Sequence, residues 1–282
     1  MQDLMKGKRG LIMGIANDHS IAWGVARALA AQGAEMAFTY QGEALGKRVK
    51  PLAEQLNVDT VLPCDVEDIA SVDAVFEALR AKWGHLDFLL HAIGGSDKNE
   101  LRGRYADTTR DNFARTMVIS CFSFTELAKR AAAMMPASGG SILTLTFGGS
   151  MRVMPNYNVM GVAKAALEAS VRYLAADLGK DGVRVNAISA GPMRTLAGAA
   201  VGDARTVFKW NKSHSPLKKT VELNHVGGAA LYLLSDLAGG VTGEVHFVDA
   251  GFNVIGMPPT ADLKGWTPQD NGQELSDGRG DG

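Results

Sequence analysis

Short apolar runs alternate with longer helix-patterned segments along almost the whole chain, and this rhythm restricts the fold more than any other feature. Strand-like runs fall at residues 10–13, 35–40, 60–64, 87–93, 141–147, 183–188 and 244–248. Helical patterns fall between them, at 20–32, 43–56, 69–83, 109–135, 156–178 and 224–235. The strand runs are mostly apolar throughout instead of alternating with polar residues. That pattern marks a parallel sheet covered on both faces. The repeated βα order predicts an α/β fold: a single Rossmann-type doubly wound sheet of about seven parallel strands with helices on both faces. Ligands of such sheets lie beyond the carboxyl ends of the strands.

With 282 residues, 46% of them hydrophobic, the chain can bury one large core. No linker-like break interrupts residues 1–257, read as one dinucleotide-binding domain, and residues 258–282 read as a polar tail. The net charge of −1 argues against a nucleic-acid surface or a polybasic membrane patch. The N-terminal nine residues lead into a strand that stops at Gly14, too soon for a signal peptide or a membrane span. A cytoplasmic location is expected. Cys64 and Cys121 lie in or near apolar runs and read as buried free thiols, which suits a reducing compartment. Met134, Met135, Met151 and Met154 read as packing residues, and no His/Cys/Asp group has metal-ligand spacing. The helix at 156–178 is apolar on more than one face, so one face should meet a second subunit; the alternative is a monomer whose tail covers it.

The loop after the first strand runs Gly14-Ile15-Ala16-Asn17-Asp18-His19-Ser20-Ile21. It is neither G-x-G-x-x-G nor a P-loop, yet it has the parts a pyrophosphate needs. Gly14 permits close backbone approach, Ser20 can cap the next helix, and that helix offers free N–H groups and its dipole. Asp18 and His19 read as solvent-facing turn residues sooner than as catalysts. Gln41, after the second strand, can bond a ribose hydroxyl but brings no positive charge for a 2′-phosphate, so NADH is favoured over NADPH. Asp65 either accepts from an adenine amino group or merely starts a helix. Tyr157 and Lys164 are seven residues apart, nearly two helical turns and about 10 Å along an axis. A proton-donating phenol and a fixed cation on one wall suit a reaction that builds negative charge on an oxygen.

Together these motifs resemble the bacterial enoyl-(acyl carrier protein) reductases, a divergent branch of the short-chain dehydrogenase/reductases. The resemblance spans about residues 6 to 257. It rests on Gly14-Ile15-Ala16 with Ser20-Ile21-Ala22, Phe38-Thr39-Tyr40-Gln41, Cys64-Asp65-Val66, Ile93-Gly94, Pro155-Asn156-Tyr157-Asn158-Val159-Met160-Gly161, Lys164, residues 184–192 and Arg194-Thr195-Leu196. Ordinary members of the superfamily use Tyr-x-x-x-Lys; here Gly161 holds that fourth position and Lys164 lies one turn further on.

The resemblance implies NADH-dependent reduction of a trans-2-enoyl thioester carried by acyl carrier protein, in bacterial fatty acid elongation, by a homotetramer. It implies that Gly14, Ser20 and Ile21 line the pyrophosphate end and that Gln41 sits by the adenosine ribose. Asp65 and Val66 hold the adenine, Ala92 and Gly94 pass under the cofactor, and Met193 and Thr195 contact carboxamide and phosphates. Lys164 holds the nicotinamide ribose, and Tyr157 bonds the thioester carbonyl. Phe147, Tyr157, Met160 and Phe208 are implied to face substrate. The family usually carries a second tyrosine where this chain has Phe147. Either that hydroxyl is dispensable, or this copy is tuned to another substrate or less active. Residues 196–215 read as a mobile helix over an acyl pocket. Arg194, Arg205, Lys209, Lys212, Lys218 and Lys219 around it form either a docking patch for the acidic carrier protein or a plain solvated surface. Competing functions are a ketoreductase on the same fold and a non-catalytic dinucleotide sensor.

Overall fold

The computed structural model describes residues 3–195 and 204–257. All seven described strands join one parallel sheet: β1 (Arg9–Met13), β2 (Glu35–Tyr40), β3 (Thr60–Pro63), β4 (Phe88–His91), β5 (Gly140–Thr146), β6 (Val183–Ala190) and β7 (Val245–Val248). Their spatial order is β3-β2-β1-β4-β5-β6-β7, so the order reverses between β1 and β4. This is the expected doubly wound sheet, and its switch point opens a crevice beyond Met13 and His91.

Helices α1 (Ile21–Ala30), α2 (Gly42–Gln55), α3 (Ile69–Trp83), α4 (Arg110–Met117), α5 (Ser123–Ala132), α6 (Asn158–Leu178), α7 (Ala204–His214) and α8 (Leu223–Leu234) complete the described framework. Adjacent residues of one strand serve opposite layers. Ile12, Phe38 and Leu90 pack with Trp23, Leu29, Val49 and Leu233 under α1, α2 and α8. Leu11, Met13 and Leu89 pack with Leu79, Phe124 and Leu167 under α3, α5 and α6. Two buried faces explain why the strand runs show no polar alternation.

Four expectations change in detail. The long helix at 109–135 is interrupted: α4 passes through a π turn at Val118–Phe122 before α5 begins. Hydroxyls compete with the helical ladder there. Ser123 Oγ donates to the Ile119 carbonyl at 2.7 Å, and Ser120 turns out to the β4 loop. The helix expected from residue 156 begins at Asn158, with Tyr157 at its N-cap, because Asn156 (φ 57°) and Asn158 (φ 33°) both take left-handed backbone. Ser20 stands at the N-cap of α1, but its hydroxyl makes no helix cap; it accepts from the Ala16 and Asn17 backbone N–H groups. Met151 is not a packing residue, being 64% exposed, whereas Met134, Met135 and Met154 do pack. Leu196, the rest of 196–203, and the tail 258–282 lie outside the described residues.

Candidate active site

Gly14 ends β1 with φ 100°, a conformation that disfavours any side chain. A Cβ there would stand 2.1 Å from the Ala92 carbonyl oxygen, so the first loop and the segment just beyond β4 pack backbone to backbone. Ser20 pins that loop, and α1 starts immediately after it at Ile21. The result is a close-fitting floor facing a helix N-terminus, the surroundings that a pyrophosphate requires. Asp18 and His19 pair with each other at 2.6 Å on the exposed surface, in keeping with their reading as turn residues.

At the far end of the crevice, Gln41 Nε2 donates to Asp65 Oδ2 at 2.9 Å. Asp65 does not start α3. Asp68 is the N-cap, accepting from the Ala70 backbone N–H, while Asp65 Oδ1 closes a turn with the Glu67 N–H. The two expected adenosine residues therefore form one exposed hydrogen-bonding rim. Val66 is buried beside them, and Cys64 is buried with its thiol pushed up to about 11, chiefly by desolvation.

The central groups converge at the ends of β4, β5 and α6. Lys164 is buried, and its Nζ donates to the Leu145 carbonyl at 2.9 Å. A Cβ placed on Gly94 would lie 3.5 Å from Met160 Cε, 3.7 Å from Lys164 Nζ and 3.8 Å from Ser120 Oγ. Gly94 thus leaves a methyl-sized space bordered by Met160, the lysine and the π turn. Ser120 fixes the other wall, accepting from the Gly95 N–H and donating to the Gly95 carbonyl, both at 3.0 Å. Burial pushes Lys164 down to about 8, opposed by Cys121 and Glu168. Burial, with Glu168 second, holds the Tyr157 phenol above its ordinary value, so its hydroxyl keeps its proton.

Tyr157 is held by shape. Its ring meets Phe147 edge to face, with centroids 5.3 Å apart at 74°. Leu101, Val159, Met160 and Met154 complete an apolar cluster around the pair. Gly149 lies against both rings: a Cβ there would stand 2.5 Å from Tyr157 Cδ1 and 3.4 Å from Phe147 Cδ1. Gly161, where ordinary superfamily members carry lysine, leaves room for the Gly149 carbonyl, which a Cβ would approach to 2.8 Å. Met193 packs beyond β6, Thr195 N donates to the Met193 carbonyl, and the Arg194 guanidinium lies 5.1 Å from the half-buried Phe208 ring. Arg205, Lys209, Lys212, Lys218 and Lys219 are all exposed.

Several site residues were not foreseen. His91 is fully buried, with Nδ1 2.9 Å from Thr144 Oγ1 and Nε2 3.0 Å from Ser123 Oγ. Desolvation, then the charge of Lys164, pushes it down to about 3, so it stays neutral. Gly149 could have been found from the Gly148-Gly149 doublet that follows Phe147. Thr146 and Glu168 also lie beneath the site, and a carboxylate within the apolar run of α6 was a visible signal. Among the described residues no group of three or more His, Cys, Asp or Glu side chains could hold a metal ion, and no helix is long and apolar enough to cross a membrane.

Comparison with known proteins agrees with this fold. The family model described as enoyl-(acyl carrier protein) reductase matches residues 14–253. The NADH-dependent enoyl-acyl-carrier-protein reductase 2 of Rhizobium meliloti (strain 1021) is 71% identical over 264 residues, covering 94% of this chain and 98% of that protein. The corresponding reductase 1 of that organism is 64% identical over 254 residues, 90% of this chain and 93% of that protein. A crystal structure from Candidatus Liberibacter asiaticus superposes with a TM-score of 0.90 at 58% identity, covering 92% of this chain and 100% of that one. A structure from Anaplasma phagocytophilum, solved in complex with NAD, gives 0.88 at 57% identity, covering 92% and 98%.

Proposed function

The chain belongs to the enoyl-(acyl carrier protein) reductase family, and from that premise we propose that Tyr157 and Lys164 are the groups with which it reduces a trans-2-enoyl thioester at the expense of NADH. The observation carrying this reading is a buried Tyr157 phenol that keeps its proton, in one cluster with Met160, whose Cε and the buried Lys164 Nζ both border Gly94. The residues fit a dinucleotide. Gly14 and Ala92 leave a bare backbone floor; the α1 N-terminus, with Ser20 and Ile21, would hold the phosphates, and the Gln41–Asp65 rim, with Val66, would take the adenosine. Met193 and Thr195 border the nicotinamide end. When bound, the cofactor supplies the hydride from C4 of its nicotinamide.

The chain's own groups supply position and field. Lys164 holds the ribose hydroxyls near the reacting carbon. Tyr157 donates to the thioester carbonyl oxygen as electron density gathers there, after addition of hydride at the β-carbon. Phe147, Met160 and Phe208 give the acyl chain an apolar wall that excludes water. An oxyanion donor of this kind is worth roughly a hundredfold or more in rate. Phe147 has no hydroxyl, so of the two aromatic residues only Tyr157 can donate a hydrogen bond to that oxygen.

The finer assignments follow the same reading. Residues 1–257 form the reductase unit. The exposed basic side chains on α7 and just beyond it receive an acidic acyl carrier protein. Exposed Phe113, Val118, Phe122 and Tyr173 favour burial against further copies, in a homotetramer working in the cytoplasm. The test is a paired assay: purified protein oxidises NADH with crotonyl thioester and not with acetoacetyl thioester. Activity confined to the keto substrate would assign the chain to ketoreduction instead, and NADH binding without turnover would leave a sensor.

A further inference from the structure

Glu168 is a carboxylate more than nine-tenths buried in α6, one turn beyond Lys164, and the mechanism above gives it no task. In the stretch from Val159 to Ala169 these two are the charged residues. Each is fastened to β5 and not to the other. Lys164 Nζ donates to the Leu145 carbonyl at 2.9 Å, and the next residue's hydroxyl, Thr146 Oγ1, donates to Glu168 Oε1 at 2.6 Å. A short hydroxyl-to-carboxylate bond offsets part of the cost of removing an anion from water. The remainder calls for a nearby cation, since an uncompensated buried charge is strongly destabilising.

The titratable groups around Lys164 come from three directions. His91 reaches it from β4 and is neutral. Cys121 reaches it from the π turn, and Tyr157 and Glu168 belong to α6 and its N-cap. Glu168 is the one carboxylate among them. It opposes the desolvation that would strip the lysine of its proton, and it resists ionisation of the phenol.

We propose that Glu168, fixed to β5 by Thr146, is the buried counter-charge that keeps Lys164 an ammonium ion in the closed site, a positioning residue for the capture of NADH. The inference rests on the assignment of Lys164 to the nicotinamide ribose. It explains how a lysine so deeply buried is available as a cation, and why the last residue of β5 carries a hydroxyl facing the helix.

The test is the pH profile of kcat/KM for NADH in the wild type, Glu168→Gln and Glu168→Asp, because this ratio reports ionisations of the cofactor-free enzyme. In Glu168→Gln the alkaline limb moves to lower pH by about one unit, so the deficit relative to wild type grows about fivefold between pH 6 and pH 8. Glu168→Asp, which keeps the charge but withdraws it, places the limb in between. Should Glu168→Gln not fold, the position of the aspartate limb decides alone. A uniform loss of rate with the limb unmoved in the variants that fold, or a wild type without an alkaline limb, overturns the proposal. Wild-type turnover of crotonyl thioester is measured first: no turnover ends the reading of the active site, whereas turnover with an unmoved limb ends only the role of Glu168.

Discussion

Gly149→Ala isolates the placement of Tyr157 without touching its chemistry. Gly149 does not require positive φ, so alanine suits its backbone. The added methyl would stand 2.5 Å from Tyr157 Cδ1, where ordinary contact begins at 3.4 Å, a shortfall of about 0.9 Å. The phenol cannot recede without cost, since its ring already rests edge to face on Phe147 and within the Leu101–Val159–Met160 cluster. A reacting group displaced by about 1 Å typically costs on the order of a hundredfold in rate. That corresponds to about 2.7 kcal/mol of activation free energy. Overpacking of this sort also costs about 1–3 kcal/mol of stability. The assay is steady-state NADH oxidation with crotonyl thioester, beside NADH binding followed by fluorescence. The expected result is kcat down by about two orders of magnitude, with NADH affinity held because Lys164 and the Gly14 floor lie elsewhere. A kcat within threefold of wild type, in a folded variant, would refute the idea that the missing side chain at Gly149 sets the phenol's position.

Tyr157→Phe should lower kcat/KM for the enoyl thioester about a hundredfold or more, and Phe147→Tyr should leave it within a few fold; the reverse pattern would move the donor role away from Tyr157. His91 sits near 3 in the folded chain against 6.5 ordinarily. Between those values the unfolded chain binds a proton that the folded chain does not, so stability is full above 6.5 and falls as pH falls toward 3. Urea midpoints should therefore show a wild-type acid slope steeper than that of His91→Gln, by up to about 1.4 kcal/mol per pH unit; equal slopes would contradict a neutral buried His91. Double charge reversal at Arg205 and Lys209 should raise KM for a carrier-protein substrate, and weaken its salt dependence, with little effect on a small thioester. An unchanged KM would make this basic face an ordinary solvated surface.

The sheet was legible because parallel strands buried on both sides leave continuous apolar runs, and the connections between them are long enough for helices. Ile12 and Leu11 show both halves of that signal, one facing each layer. The glycine proposed to lie under the cofactor was legible for a related reason: Gly14 follows directly on a strand, where only a bare backbone fits. What periodicity could not supply was departure from period. The π turn at Val118–Phe122 lies inside a run that reads as continuous helix, because its cause is hydroxyls bonding across the fold from Ser120 and Ser123. Tyr157 reads as helical for the same reason, although two flanking asparagines in left-handed conformation place it one residue outside α6. His91, Thr144 and Ser123 come together from two strands and a helix, a juxtaposition invisible along the chain. Glu168 was visible as an oddity, a carboxylate in an apolar helix, but its partner Thr146 lies 22 residues away on β5.

The most direct measurement is a crystal structure of the protein with NADH and an unreactive enoyl-thioester analogue. The account requires the Tyr157 hydroxyl within about 2.6–3.2 Å of the thioester carbonyl oxygen, and Lys164 Nζ on the hydroxyls of the nicotinamide ribose. A complex in which the phenol points away from that oxygen, or the ammonium away from that ribose, would contradict it.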